Sequence, residues 1–215
     1  MNIHIFFIPL FFKCVYNIED DYIIQVIKKY NYPVEEHVIE TSDGYLLKAQ
    51  RIPHGLRNSK PKEVALLAHG MGGSAENWIL LGPPDSLAYL MADRGYDVWL
   101  FNSRGTLHSR KHKTLDPNRN RKQFWNFSWH EIAVYDLVDT VNYILNVTRK
   151  DALFYVGHSQ GTTISFVMQS EIPEMNDKIK ATALLAPSAF LQYTPSAIVT
   201  LGARLKGLGE VRFSL

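Results

Sequence analysis

The stretch Ala152-Leu153-Phe154-Tyr155-Val156-Gly157-His158-Ser159-Gln160-Gly161-Thr162-Thr163-Ile164-Ser165-Phe166 decides how this chain folds. An apolar run of strand character passes, through five residues of the form G-x-S-x-G, directly into a run of helical character. A strand that turns so sharply into a helix puts its apex residue, Ser159, in a strained conformation and lifts the hydroxyl above the sheet. Side chains at Gly157 and Gly161 would collide as the two elements approach each other, which explains both glycines. The helix beginning at Gln160 directs free N–H groups and the positive end of its dipole toward any oxyanion formed there. The pattern predicts a serine nucleophile, Ser159, in an elbow made with Gly157, His158 and Gly161.

Outward from the elbow, short β-rich runs alternate with helical ones, which predicts a mainly parallel sheet flanked by helices. EEHVIET and YLLKAQRIP form a hairpin about Ser42-Asp43-Gly44, Asp-Gly being a strong turn signal. VALLAHG (64–70) and YDVWLFN (96–102) are nearly all apolar, as strands buried on both faces are. SLAYLMADRG (86–95) predicts a helix stopped by Gly95. WHEIAVYDLVDTVNYIL (129–145) has helical spacing, with Ile132, Tyr135, Val138, Val141, Ile144 and Leu145 expected on one stripe facing the sheet. ATALLAP (181–187) is the last clear strand, and 192–215 shows no strong periodicity.

His69-Gly70-Met71-Gly72-Gly73 ends the strand VALLAHG. Glycines there let a backbone N–H approach a substrate carbonyl oxygen. The N–H groups of Met71 and Gln160 are therefore assigned to the oxyanion hole, with His69 and Gly70 in the loop that carries the first. The alternative is a plain strand-ending turn. His69 is expected to anchor the loop, and His158, on a tight turn, to aim its ring away from Ser159. His37, His54, His108, His112 and His130 lack metal-ligand spacing and are not expected to be catalytic.

A length of 215 residues with 46% hydrophobic and 20% charged side chains fits one globular domain and rules against disorder. The net charge of +2 argues against nucleic acid as a partner, and the basic run from Arg110 to Lys122 reads as a solvated loop. A single cysteine, Cys14, excludes an internal disulfide or a cysteine metal cluster. The apolar run Ile3–Phe12 is too short to cross a membrane but suits the core of a signal peptide, expected over residues 1–16. No Lys or Arg precedes it and no small-x-small site follows, so an ordinary buried N-terminal segment is the alternative. Asn126-Phe127-Ser128 and Asn146-Val147-Thr148 are glycosylation acceptor triplets, in keeping with secretion.

TSDGYLLKAQRIPHG, LLAHGMGGSAENW, SLAYLMADRGYDVWLFNSRG, FWNFSWHEIAVYDL, YVGHSQGTTISF and LLAPSAFLQYT follow one another in order. Through them, from about Asn17 to about Tyr193, the chain resembles the acid lipase family of gastric, lysosomal and many insect digestive lipases. The resemblance implies an α/β-hydrolase fold over residues 17–215 and hydrolysis of triacylglycerols or cholesteryl esters at a lipid–water interface. It also implies a monomer, no metal or organic cofactor, and a secreted or lysosomal setting. It carries over Ser159 as nucleophile and Met71 and Gln160 as oxyanion donors.

The catalytic triad of this fold runs in the order Ser, then Asp or Glu, then His. After Ser159 come Glu171, Glu174, Asp177 and Glu210, and no histidine. The family's triad Asp and His, its cap and its last core strands are expected beyond Leu215. Asp97, Asp136 and Asp139 lie upstream and are not carried over. A serine hydroxyl without its base is a poor nucleophile. Three readings follow: part of an active lipase, an inactive short lipase-like protein that binds lipid or a partner, or an esterase completed by a base from elsewhere. ATALLAP is expected to be an unprotected apolar edge, and the isolated chain to be poorly stable.

Overall fold

The structure, a computed structural model, describes residues 22–57, 61 and 63–189. The expected signal peptide, Cys14 and the segment from 192 onward lie outside the described residues.

Helix α1 (Tyr22–Lys29) buries Ile23 and Ile27, one turn apart. Strands β1 (Glu35–Glu40) and β2 (Tyr45–Ile52) form the expected hairpin, with Val38 opposite Lys48. Gly44, at φ +98°, supplies the left-handed turn residue. Next come β3 (Glu63–Ala68), α2 (Leu87–Asp93) and β4 (Tyr96–Leu100). Strand β5 (Lys111–His112) and helix α3 (Arg121–Phe124) follow. A continuous helical run is then built from α4 (Trp129–Glu131), a π-helix (Ile132–Leu137) and α5 (Val138–Thr148). Strand β6 (Leu153–His158), helix α6 (Gln160–Glu171) and strand β7 (Ile179–Leu185) complete the described chain.

The sheet runs β1-β2-β4-β3-β6-β7, with β5 paired to β2. The β4-β3-β6-β7 portion is parallel and β2 is antiparallel to its neighbours. Strand β3 is central, so both of its faces are covered. Val64, Leu66 and Ala68 enter one core with Trp99, Tyr155 and Ile164, while Ala65 and Leu67 enter a second with Ile27, Tyr89 and Leu100. That is why the strand reads as an unbroken apolar run.

Two local expectations change, and the one for the last strand stands. The Arg110–Lys122 run is not only a solvated loop, because Lys111 and His112 pair with Leu46 and Tyr45 as β5. The stripe over 129–145 is interrupted by the π-helix, whose extra residue per turn rotates the following positions. Tyr135 is turned outward, 37% exposed, while Asp136 and Leu137 are fully buried. Ile132, Val141, Ile144 and Leu145 are buried as expected. Finally, β7 is the outermost strand among the described residues, and Leu185, Ala181 and Ala183 on it are exposed.

Candidate active site

Ser159 stands between β6 and α6 at φ +50°, ψ −114°. A non-glycine residue there costs on the order of 1–3 kcal/mol and persists only where its surroundings fix it. Three bonds do so. Ser159 N–H donates to Leu185 O of β7 (2.9 Å), and Ser159 O accepts from both the N–H (2.8 Å) and the hydroxyl (2.6 Å) of Thr162. The flanking glycines answer to close contacts. A Cβ on Gly157 would lie 2.8 Å from the Gly161 carbonyl, and one on Gly161 would lie 2.4 Å from Ala68 O of β3. The buried Tyr155 hydroxyl donates to Gly161 O (2.6 Å), tying the first turn of α6 back to β6.

The loop after β3 reaches the same place. A Cβ on Gly70 would stand 3.1 Å from Ser159 Cβ and 3.0 Å from His158 Nδ1, so this loop packs directly on the elbow. Gly73 N–H bonds to Gly70 O (3.1 Å), closing a turn in which Gly72 takes φ +71°. Met71 occupies the second position of that turn, with its side chain 46% exposed. The N–H groups of Met71 and Gln160 have no acceptor among the described residues. Two free donors beside a serine hydroxyl are what stabilisation of a tetrahedral oxyanion requires.

His69 holds the turn from beneath. Its Nδ1 lies 2.7 Å from Gly70 O, which can only accept, so Nδ1 carries the proton. Its Nε2 then accepts from Ser103 N–H at 3.3 Å, after β4. Burial lowers its pKa to about 4, with nearby His108 acting in the same direction and the Gly70 carbonyl against it. A neutral ring suits both bonds. The ring thereby joins the loop after β3 to the loop after β4.

His158 is exposed, and no hydrogen bond joins it to Ser159 among the described residues. The other histidines are engaged elsewhere: His37 with Glu35 and Tyr143, His54 with Gly55, His108 with Glu76, His112 with Asp43 O, and His130 with Glu171. The upstream aspartates are also taken. Asp97 pairs with Arg51, Asp136 with Arg104, and Asp139 accepts from Ser42. Asn126 and Asn146 are both exposed, the first between α3 and α4 and the second on α5.

Sequence reasoning missed two supports. The Thr163 hydroxyl donates to Ser188 O (2.6 Å), and Ser188 N–H donates to the Thr162 hydroxyl (2.9 Å), clasping the exit from β7 onto α6. Arg104, with a side chain 1% exposed, is clamped between Asp43 (2.6 Å) and Asp136 (2.6 Å) over the Tyr45 ring. The adjacent threonines after the elbow were a signal for the first. No local signal marks the second, which joins residues 43, 104 and 136.

The fold is shared with known proteins. The family described as "alpha/beta hydrolase fold" matches residues 64–210, and "Partial alpha/beta-hydrolase lipase region" matches residues 23–82. The chain belongs to the α/β-hydrolase fold family. Relatives that match it over most of its length include lipases. It is 50% identical over 182 residues to lipase member K of Mus musculus, covering 83% of this chain and 45% of that one. It is 44% identical to human lysosomal acid lipase/cholesteryl ester hydrolase, covering 83% and 45%. For bovine gastric triacylglycerol lipase the identity is 47%, covering 80% and 44%. The chain thus spans less than half the length of these relatives. Among solved structures, an esterase from Pyrococcus furiosus superposes with TM-score 0.55 at 18% identity, covering 77% of this chain and 55% of that one. An epoxide hydrolase from Vigna radiata gives 0.50 at 20%, covering 81% and 45%; both establish the fold alone.

Proposed function

We propose that this chain is the nucleophile-bearing part of a lipase that hydrolyses carboxylic ester bonds of neutral lipids, triacylglycerols or cholesteryl esters. The observation that carries the reading is the strained Ser159 packed against a loop that offers a second free N–H. Ser159 Oγ attacks the acyl carbon, the N–H groups of Met71 and Gln160 hold the oxyanion, and the alcohol leaves. Water then releases the fatty acid from the acyl-enzyme. The chain spans less than half the length of its lipase relatives, and the base that takes the serine proton is assigned to the remainder. The names of the relatives support a lipid ester as substrate. In this reading residues 1–16 are a secretory signal, Asn126 and Asn146 accept glycans, the working unit is a monomer, and the setting is secreted or lysosomal. The lack of a base bonded to the Ser159 hydroxyl among the described residues leaves a second reading, an inactive form that binds lipid or a partner.

Labelling of the purified chain by a fluorophosphonate ester, with and without imidazole as a small-molecule base, separates the two. Slow labelling that imidazole accelerates and Ser159→Ala abolishes is expected. Catalysis without a base still reaches roughly 10³–10⁴-fold over water. Equal labelling of Ser159→Ala, or none from folded protein in either condition, leaves only lipid or partner binding.

A further inference from the structure

The N–H of Met71 serves an oxyanion only if it points at one place, and the turn that carries it does little to fix itself. Within Gly70–Ser74 the described residues show a single internal bond, from Gly73 N–H to Gly70 O. Gly72 lies at positive φ and the Met71 side chain is half-exposed. The aim of the turn is therefore set by how its two ends are held. At the near end Gly70 packs on the elbow, and His69 beneath it is held by Ser103 N–H.

The far end is held by the residue next to Ser103. Asn102, fully buried just after β4, accepts through Oδ1 from Ala75 N–H (2.9 Å). Ala75 opens the single helical turn Ala75–Trp78, and the first N–H groups of a helix have no partner within it. Those of Glu76 and Asn77 are met by Ser74, through its hydroxyl (3.3 Å) and its carbonyl (3.1 Å). The Ala75 N–H instead reaches across to the loop after β4.

The Asn102 amide is itself fixed. Its Nδ2 donates to Lys48 O (2.9 Å) and to Gln50 Oε1 (2.9 Å) on β2, while Oδ1 faces a group that can only donate. A flipped amide would lose these bonds. The Asn102 carbonyl also accepts from the Ser109 hydroxyl (2.8 Å). Strand β2 thus orients the amide, the amide places Ala75, and residues 71–74 are strung between Ala75 and Gly70.

We infer that Asn102 is a positioning residue for the oxyanion hole, tying Ala75 N–H to β2 so that the Met71 N–H is aimed beside that of Gln160. The inference rests on the reading of Met71 as an oxyanion donor, and its test needs neither the absent base nor a lipid. The full chain carries Ser159→Cys, with Cys14→Ser so that position 159 holds the only thiol. A thiol is partly ionised without a neighbouring base. Two reagents are compared. p-Nitrophenyl acetate is attacked at its carbonyl carbon, passes through an oxyanion, and releases p-nitrophenolate as the thioester forms. Iodoacetamide is attacked at its methylene carbon and loses iodide, with no oxyanion. The ratio of the two rates reports the oxyanion hole and cancels the ionisation and exposure of the thiol.

The parent chain should show a higher ratio than a free cysteine peptide. Asn102→Ala in that background should lower the ratio about 10- to 100-fold, since a misaimed donor forfeits much of what a deleted one does. Tyr32→Phe removes a hydrogen bond to Asp93, near the N-terminal end of β4, and should lose stability but leave the ratio unchanged. Far-ultraviolet circular dichroism checks that each variant is folded. If Asn102→Ala is not, Ser109→Ala, which removes the hydroxyl bonded to Asn102 O, is read in its place, with a smaller loss expected. An unchanged ratio in the folded variant, beside a parent that exceeds the peptide, overturns the proposal and leaves the oxyanion reading intact. A parent ratio no higher than the peptide's overturns both.

Discussion

Ser159 is held in a conformation that its own side chain disfavours, and the neighbours that crowd it and its flanking glycines are largely backbone atoms rather than flexible side chains. That distinction sets the cost of changing them. A methyl group at Gly161 would meet Ala68 O at 2.4 Å and His69 O at 3.0 Å, both fixed in or next to the central strand. Neither can retreat without displacing β3, so Gly161→Ala should destabilise by about 1–3 kcal/mol, the usual cost of overpacking. It should also slow fluorophosphonate labelling, because the helix carrying the Gln160 N–H is pushed from the elbow. Urea unfolding checks the first effect, and an unchanged midpoint would mean that the helix moves freely. At Gly72 a Cβ would meet nothing within 4 Å, so only the positive φ opposes substitution there. The elbow glycines are demanded by crowding, and the loop glycine by its turn.

Between elements, the same contrast separates what the chain's pattern announces from what it conceals. The strands β3 and β6, the hairpin about Gly44 and the elbow are legible because each depends on residues adjacent in sequence. The stripe on the long helix departs from its sequence pattern at Tyr135, because a π-helix changes the period within a run that has no proline or glycine to mark it. Tyr135, expected in the core, gives way to Asp136, which is acceptable inside only because Arg104, from 32 residues earlier, donates to it through N–H (2.8 Å) and Nε (2.7 Å). The threonine clasp is half legible: the adjacent threonines mark one side, but the partner Ser188 lies 25 residues from Thr163. This clasp holds the turn at Ala186, itself at φ +49°, between β7 and α6. Thr163→Val should cost about 1 kcal/mol, one buried hydrogen bond, while Thr163→Ser keeps the bond and most of the stability. A serine variant less stable in urea than the valine variant would show that the methyl group, not the hydroxyl, holds the loop.

The response to acid belongs to the molecule as a unit, because its opposing parts sit on different elements. His69 has a pKa of about 4 against an ordinary 6.5, chiefly through burial. Between those values the unfolded chain takes up a proton that the folded chain refuses, so this group withdraws stability as pH falls through the window. Asp136 is raised to about 6 from 3.8, burial outweighing the Arg104 guanidinium. Here the folded chain takes the proton first, so stability is gained as pH falls from about 6 toward 3.8. Burial raises Asp97 too, in spite of Arg51, and adds to the same side. The His69 and Asp136 terms are each on the order of 3 kcal/mol and opposite in sign, so they offset one another. Asp43, Glu35 and Glu131 are lowered, since their hydrogen bonds to Arg104, Arg51 and Ser128 overcome burial. Their stabilising contribution is present above the ordinary carboxylate pKa values and is lost below them. Thermal midpoints should therefore stay level from the ordinary histidine value of 6.5 down to the ordinary glutamate value of 4.5, then drop. Asp136→Asn removes the gain but not the loss at His69. Besides a lower midpoint at every pH from leaving Arg104 underpaired, its midpoint should slope downward across that window. Parallel curves for wild type and Asp136→Asn would show that the buried carboxylate stays ionised beside Arg104 throughout, and that the acid tolerance has another source.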